Sequence, residues 1–342
     1  MPKKRLFPLP DTRSKSGLNN LRAAARDLRS AVRSFLKRYA ATPPPKNFVG
    51  EQFILRGQSG IDRIFNQLST GNPCLIARLG TTETAVLTHF ERHKTENTCV
   101  FPSALKSSIA DLSGFFPATD RNLIRFCFEL KAAIAATDLM GVRWEAHDSC
   151  FWHNENLALR AFCPQTALVG IEHIIAPFES PAPWMRYLKG KKVLVVHPFS
   201  RTIEAQYNKR SILFGNPNNL PDFELITLTA VQSLADHKRL LQYQDWFAAL
   251  DGMCEAAGKI DFDVALIGAG AYGIFLGAYC KKLGKQAIHI GGATQMFFGI
   301  KGKRWVDSGP DNLAHIMNEH WVYPSDDERP DGAERVENAC YW

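Results

Sequence analysis

Three stretches combine a sharp turn with side chains that can handle an anion. Arg78-Leu79-Gly80-Thr81-Thr82-Glu83 follows the apolar run 74–77. A glycine turn after a strand brings an arginine and a carboxylate into one crevice. The guanidinium suits a phosphate oxygen, and the carboxylate suits a proton or a divalent ion. The plainer alternative is an Arg78–Glu83 salt bridge, with Glu83 favoured by the start of a helix. His197-Pro198-Phe199-Ser200-Arg201-Thr202-Ile203-Glu204 follows the run 193–197. Pro198 breaks the strand, and Ser200 or Thr202 can cap a helix whose N-terminus attracts anions. A capped helix and a satisfied buried His197 are the plainer readings.

The third stretch, Gly268-Ala269-Gly270-Ala271-Tyr272-Gly273, matches G-x-G-x-x-G after the run 264–267. A helix over 271–282 and a strand over 286–290 complete a βαβ unit, whose helix start aims free N–H groups at a phosphate. A dinucleotide fold needs an acid about 20 positions on, for the ribose. Gly291-Gly292 stands there, and no Asp or Glu lies between Asp263 and Asp307. An anion-binding turn and plain helix–strand packing both remain open. A membrane span over 264–280 is too short and too rich in glycine. Beyond the second strand, Gln295 could read a uracil or a sugar hydroxyl, or cap a turn. Lys301, Lys303 and Arg304 form a basic cluster for which solvent is the default.

No zinc spacing, G-x-S-x-G elbow, Walker loop or H-E-x-x-H occurs, so hydrolase and kinase readings lack a motif. The eight cysteines form no C-x-x-C pair and suit buried thiols of a reducing cytosol. No apolar signal segment opens the chain. The net charge of +7 is concentrated at one end. Residues 1–50 hold 12 Lys/Arg against two acids, whereas the rest holds 29 against 32. A nearly neutral body argues against a nucleic-acid-binding face.

The elements that must position these residues alternate between strand and helix. Helices are expected over 61–68, 84–90, most of 103–137 with a break near Gly114 and Pro117, and 244–257. Strands are expected over 74–77, 138–143, 193–197, 225–228, 264–267 and 286–290. This order predicts an α/β fold, Rossmann-like, with a mostly parallel sheet covered by helices on both faces. Ligands bind such sheets at the carboxyl ends of strands, where all three stretches fall. The domain spans 48–324. Before it come a disordered basic tail (1–17), a basic amphipathic helix (18–40) and a proline-rich linker (41–47). After it comes a polar tail (325–342) expected outside the core. The helix carries an apolar stripe at 18, 21, 25, 28, 32, 35 and 39, with six Lys/Arg opposite. It can pack on its own domain, join a coiled coil or rest on anionic lipid.

Taken together, Arg78-Leu79-Gly80-x-x-Glu83, His197-Pro198-Phe199 with Thr202-Ile203 and Gln206, and the run from Asp263 through Gly270-Ala271-Tyr272-Gly273 to Gly299-Ile300-Lys301-Gly302-Lys303-Arg304-Trp305 resemble the GT-D-fold glycosyltransferases. The resemblance covers roughly 55–306. It implies a Rossmann-like domain, a UDP-sugar donor and hexose transfer to a glycan, glycolipid or glycoprotein acceptor, in cell-surface polysaccharide synthesis. It implies Glu83 as the catalytic carboxylate. It also implies donor contacts from Arg78, Gly80, His197, Ser200, Thr202, Gly268, Gly270, Tyr272, Gly273 and Gln295. The family's Asp-x-Glu motif, which contacts nucleotide and manganese, aligns with Thr81-Thr82-Glu83. Only the glutamate is present, so a Mn2+ or Mg2+ cofactor would rest on Glu83 alone. The expected location is the cytoplasm, with 18–39 able to rest on the inner face of the plasma membrane. No nucleic acid is expected as a partner, and a homo-oligomer stays open. The competing readings are a nucleotide-dependent oxidoreductase and a nucleotide-binding scaffold.

Overall fold

The structure is a computed structural model of the 342-residue chain. It describes residues 48–143, 150–233, 242–307, 313–330, 332–336 and 338–342. The expected basic tail, amphipathic helix and linker at 1–47 lie outside the described residues.

Nine strands form one sheet: β1 (Phe48–Val49), β2 (Gln52–Leu55), β3 (Cys74–Arg78), β4 (Leu139–Val142), β5 (Ala167–Gly170), β6 (Lys192–His197), β7 (Glu224–Thr229), β8 (Val264–Ile267) and β9 (Gln286–His289). Their order is β1-β2-β5-β4-β3-β9-β8-β6-β7. Only β1 runs antiparallel, against β2. Arg78 sits opposite Gly141, Ile267 opposite His289, and His197 opposite Thr229, so the strands end along a common edge. The expected parallel α/β sheet is therefore observed. The strands β1, β2 and β5 were not expected from the sequence, and β1 has only two residues.

The main helices are α1 (Gly57–Ser69), α2 (Thr81–His93), α3 (Ser103–Ser113), α4 (Asp120–Ala135), α5 (Cys150–Phe162), α6 (Ser200–Tyr207), α7 (Trp246–Gly258) and α8 (Gly273–Lys282). Local chemistry sets several ends. Thr119 caps α4 by accepting from the Asn122 N–H at 3.2 Å, and Asp245 caps α7 by accepting from the Ala248 N–H at 2.8 Å. Gly114 closes α3 at φ +72°, a left-handed conformation that glycine adopts without a Cβ penalty. In α1, Ile61, Ile64 and Leu68 follow helical spacing and are all buried.

Strand residues alternate between two cores, as a sheet covered on both faces requires. Leu75, Ala77, Leu194, Val196, Ala265 and Ile267 face α2, α4, α7 and α8. Cys74, Ile76, Val193, Val195, Val264 and Leu266 face α1, α6 and the short helix Gly291–Phe298. Residues 325–342 depart from the expected tail. Ala333, Val336, Ala339 and Trp342 are buried in the second core, and the Trp342 ring lies 5.8 Å from that of Phe199. Small and apolar residues spaced three apart were hidden by the polar residues around them. Among the described residues, no helix is long and apolar enough to cross a membrane.

Candidate functional site

Four neighbouring strands open the carboxyl edge of the sheet. After β3 the chain turns to the first core through α2, and after β9 to the second through Gly291–Phe298. After β8 it turns to the first through α8, and after β6 to the second through α6. Segments leaving to opposite sides cannot close over the strand ends, and a crevice results. Arg78, His289, Gly268 and His197 stand along it.

Arg78 forms its β3/β9 end. Its Nε donates to the Ile290 carbonyl at a long 3.4 Å. Gly291, at φ +78°, makes room for the guanidinium, since any Cβ there would overlap it. Burial lowers the Arg78 pKa, and the charge of Arg143 lowers it further. Glu83, Tyr341 and Arg304 also act on it electrostatically. Arg143 is held by Glu155: Nη1 meets Oε1 at 2.8 Å, and the Arg143 N–H donates to Oε2 at 3.0 Å. Its Nη1 also donates to the Leu79 carbonyl at 3.2 Å. Burial pushes the Glu155 carboxyl up to about 7, although Arg143 pulls the other way. The Arg304 guanidinium lies 5.1 Å from the Tyr341 ring centre, with Nη1 3.4 Å from the phenol oxygen. Tyr341 in turn packs where Gly292 leaves no side chain.

His289 ends β9 beside Arg78. It is buried, and its two ring nitrogens lack a hydrogen-bond partner of good geometry. Burial, then the Arg78 charge, holds its pKa well below the usual histidine value.

Glu83 lies in the first turn of α2 and is 9% exposed. Its Oε2 accepts from the Thr82 hydroxyl at 2.8 Å, and that hydroxyl also meets Ser113 Oγ. The carboxylate folds over Gly80, where any Cβ would overlap it. The alternative of a direct Arg78–Glu83 salt bridge is not realised; the two interact at longer range.

The β6 end is occupied by the chain itself. Glu328 is buried, and its Oε1 accepts from the N–H groups of Arg201 at 2.9 Å and Thr202 at 3.4 Å. Its Oε2 accepts from Ser325 Oγ at 3.0 Å and from the Thr202 hydroxyl. The start of α6 thus holds an anion, and the anion is a carboxylate from 325–328. Ser200 Oγ is 2.7 Å from Thr229 Oγ1. Ser200 and Thr202, expected to contact the donor, are engaged internally. His197 accepts at Nδ1 from the Phe199 N–H at 3.0 Å, which leaves the proton on Nε2. Burial pushes its pKa down to about 3, so the ring is neutral at physiological pH.

In the glycine turn, Gly268 packs against His197 and Thr294, and Gly273 against His289. Gly270, at φ +52°, has only the Ser113 carbonyl within 4 Å of a built Cβ, at 3.8 Å. Packing therefore explains two of the three glycines, while Gly270 needs its backbone freedom. Tyr272, expected to contact the donor, is buried. It stacks on Trp246 at 4.7 Å and 7°, and its hydroxyl meets Ser233 Oγ at 2.8 Å. Gln295, also expected to contact the donor, is buried too. Its amide nitrogen donates to the carbonyls of Lys301 at 2.7 Å and Tyr341 at 3.1 Å, tying 291–302 to the last residues of the chain.

Arg78, Gly80 and Glu83 thus share one end of the crevice, with Gly268, Gly270 and His197 farther along it. Sequence reasoning missed Arg143, Glu155, His289, Tyr341 and Glu328, and read Arg304 as surface. Position offers a signal for two of them, since Arg143 and His289 close the apolar runs of β4 and β9.

The expected divalent ion does not suit the described donor set. Among the described residues no three His, Cys, Asp or Glu side chains gather in a metal-binding group. Mn2+ and Mg2+ favour several oxygen ligands. Here Glu83 is already bound by Thr82, and the Arg78 charge acts on it at longer range.

No family model and no curated protein matches the chain. Solved structures of a domain of unknown function, DUF1792, are similar to it. One, described as having a distinct glycosyltransferase fold, shares 13% identity at a TM-score of 0.41, over 72% of this chain and 80% of that one. Another, described as a new glycosyltransferase from Streptococcus sanguinis, shares 13% identity at 0.41, over 80% and 96%. A selenomethionine-substituted DUF1792 structure shares 12% identity at 0.40, over 72% and 81%. At these values no donor, acceptor or residue role carries over.

Proposed function

We propose that the chain is a glycosyltransferase that moves a hexose from a UDP-sugar to a hydroxyl of a glycan, glycolipid or glycoprotein, in cell-surface polysaccharide synthesis. The observation that carries this reading is Arg78. It is a half-buried cation at the opening of the sheet, with no carboxylate in ion-pair distance among the described residues. A cation withdrawn from water needs an anion beside it, and a diphosphate supplies one.

Transfer breaks the bond between the anomeric carbon and a diphosphate oxygen, which keeps the electron pair. The acceptor oxygen bonds to that carbon and releases its proton. Arg78 stabilises the charge growing on the diphosphate. Glu83 takes the acceptor proton, its Oε2 steadied by Thr82. His197 and Gly270 line the far part of the crevice, toward the donor. The helix expected at 18–39 would bring the enzyme to an anionic membrane carrying a lipid-linked acceptor. A dinucleotide is less favoured, because Gly291 at the end of β9 offers a ribose no carboxylate.

Melting with UDP, UDP-hexoses, NAD and NADP tests the reading. A ligand at a hundredfold its Kd adds about 2.7 kcal/mol to stability. UDP should raise the melting temperature. A shift with NAD or NADP and none with any uridine nucleotide would overturn the proposal.

A further inference from the structure

We propose that Arg78, Arg143 and Arg304, with the phenol of Tyr341, form a cationic cradle that carries the charge of the donor diphosphate, so that nucleotide binding by this chain needs no divalent ion. The inference rests on the proposed donor but is separable from it, because a UDP site could equally be metal-dependent.

The four residues come from β3, the loop after β4, the short helix Lys303–Val306 and the C-terminal segment. Arg143, Arg304 and Tyr341 all act electrostatically on Arg78, so the groups share one neighbourhood. Each is held before any ligand arrives. Glu155 and the Leu79 carbonyl fix Arg143. The Arg304 N–H donates to the Cys340 carbonyl at 3.0 Å, and its guanidinium lies over Tyr341. Gly291 and Gly292 give up their side chains to admit Arg78 and Tyr341. Planar guanidinium forks match phosphate oxygens in pairs, and pre-placed ones require little ordering on binding. Together they do the electrostatic work that a bound dication does elsewhere.

The carboxylates point the same way. Of those beside the cradle, Glu83 is bound by Thr82 and Glu155 is committed to Arg143. Among the described residues, a dication placed here would meet three guanidinium groups and find one partly engaged carboxylate, an arrangement that disfavours it.

The test is calorimetric titration of the full chain with UDP and with uridine, in EDTA and in excess Mn2+. UDP affinity should agree within about threefold between the two conditions, while uridine binds weakly in both. Arg304→Gln should weaken UDP about 10–100-fold, the size of a lost charge-assisted hydrogen bond, and leave uridine unchanged. Arg143→Lys keeps the charge beside Glu155 but loses the fork, and should weaken UDP in the same direction with its melting curve intact. UDP binding that appears only with Mn2+ would overturn the inference and leave the proposed function standing. Equal losses of UDP and uridine in Arg304→Gln would reduce the arginine to a structural part. No UDP binding in either condition would overturn the proposed function itself.

Discussion

Glu155→Gln should make the protein more stable at pH 8, although it breaks an ion pair. Glu155 is fully buried, and its carboxylate meets Arg143 at 2.8 Å. Two effects compete there. Pairing favours the charged form, and loss of water disfavours it. Burial is the larger, and it lifts the carboxyl from 4.5 to about 7. Between these values the folded protein keeps a proton that the unfolded chain has released. That contribution to stability is complete below about pH 4.5 and is lost as pH rises through 7. A rise of this size corresponds to about 3 kcal/mol, as an order of magnitude. A glutamine is neutral throughout, so the variant lacks this loss. Wild type and variant should be similar near pH 5, with the variant ahead by up to about 3 kcal/mol at pH 8. Denaturant unfolding of both proteins across pH 5–8 measures the difference, and every other titrating group cancels. If Glu155→Gln is the less stable protein and the deficit grows with pH, pairing outweighs burial and the reasoning fails.

Four further outcomes follow from contacts around the crevice. Gly291→Ala puts a methyl group into the Arg78 guanidinium at a backbone with φ +78°; it should weaken UDP at least tenfold by calorimetry and cost about 1–3 kcal/mol in denaturant unfolding. Glu83→Gln should lower sugar transfer by about 10²–10⁴-fold with little change in UDP affinity; near-normal turnover would remove Glu83 as the base. Glu328→Ala strips the start of α6 of its acceptor and should destabilise the protein by about 2–4 kcal/mol, read as an earlier urea midpoint at unchanged slope. Tyr272→Phe loses the Ser233 contact and should cost about 1 kcal/mol while UDP binds as before; a large loss of affinity would return Tyr272 to the site.

The fold could be read because its signals are local. The apolar run 264–267 is the strand β8 residue for residue, and the break expected near Gly114 and Pro117 separates α3 from α4. The edge strand β1 has only two residues, too few for a pattern to show. The site was half readable for a related reason. Arg78, Gly80 and Glu83 sit within six positions, and one glycine turn explains why they share an end of the crevice. Arg143, Arg304 and Tyr341 are separated from Arg78 by 65 to 263 positions, and only the tertiary fold brings them near it. Ser200, Thr202, Tyr272 and Gln295 show the opposite limit. Their types suit a ligand, but each finds a partner elsewhere in the chain, which no local pattern reveals.

The two ends of the crevice answer the same electrostatic need in different ways. At β6 a helix N-terminus exposes N–H groups, and Glu328 satisfies them from within the chain. The same C-terminal segment buries Val336 and Trp342, so the carboxylate is anchored by apolar packing as well as by hydrogen bonds. At β3 and β9 the chain brings more cations instead: Arg143 from just after β4, Arg304 from the short helix Lys303–Val306, and, among the described residues, no carboxylate in ion-pair distance of Arg78. Folding therefore closes one anion site with its own acid and leaves the other facing the opening of the sheet. Under the proposed function, that division would direct an incoming diphosphate to Arg78. It also explains why Tyr341 and Glu328, 13 positions apart in one segment, serve opposite ends of the crevice. Under the proposed function, Glu328 fills the anion site that the donor does not use, and Tyr341 lines the one that it does.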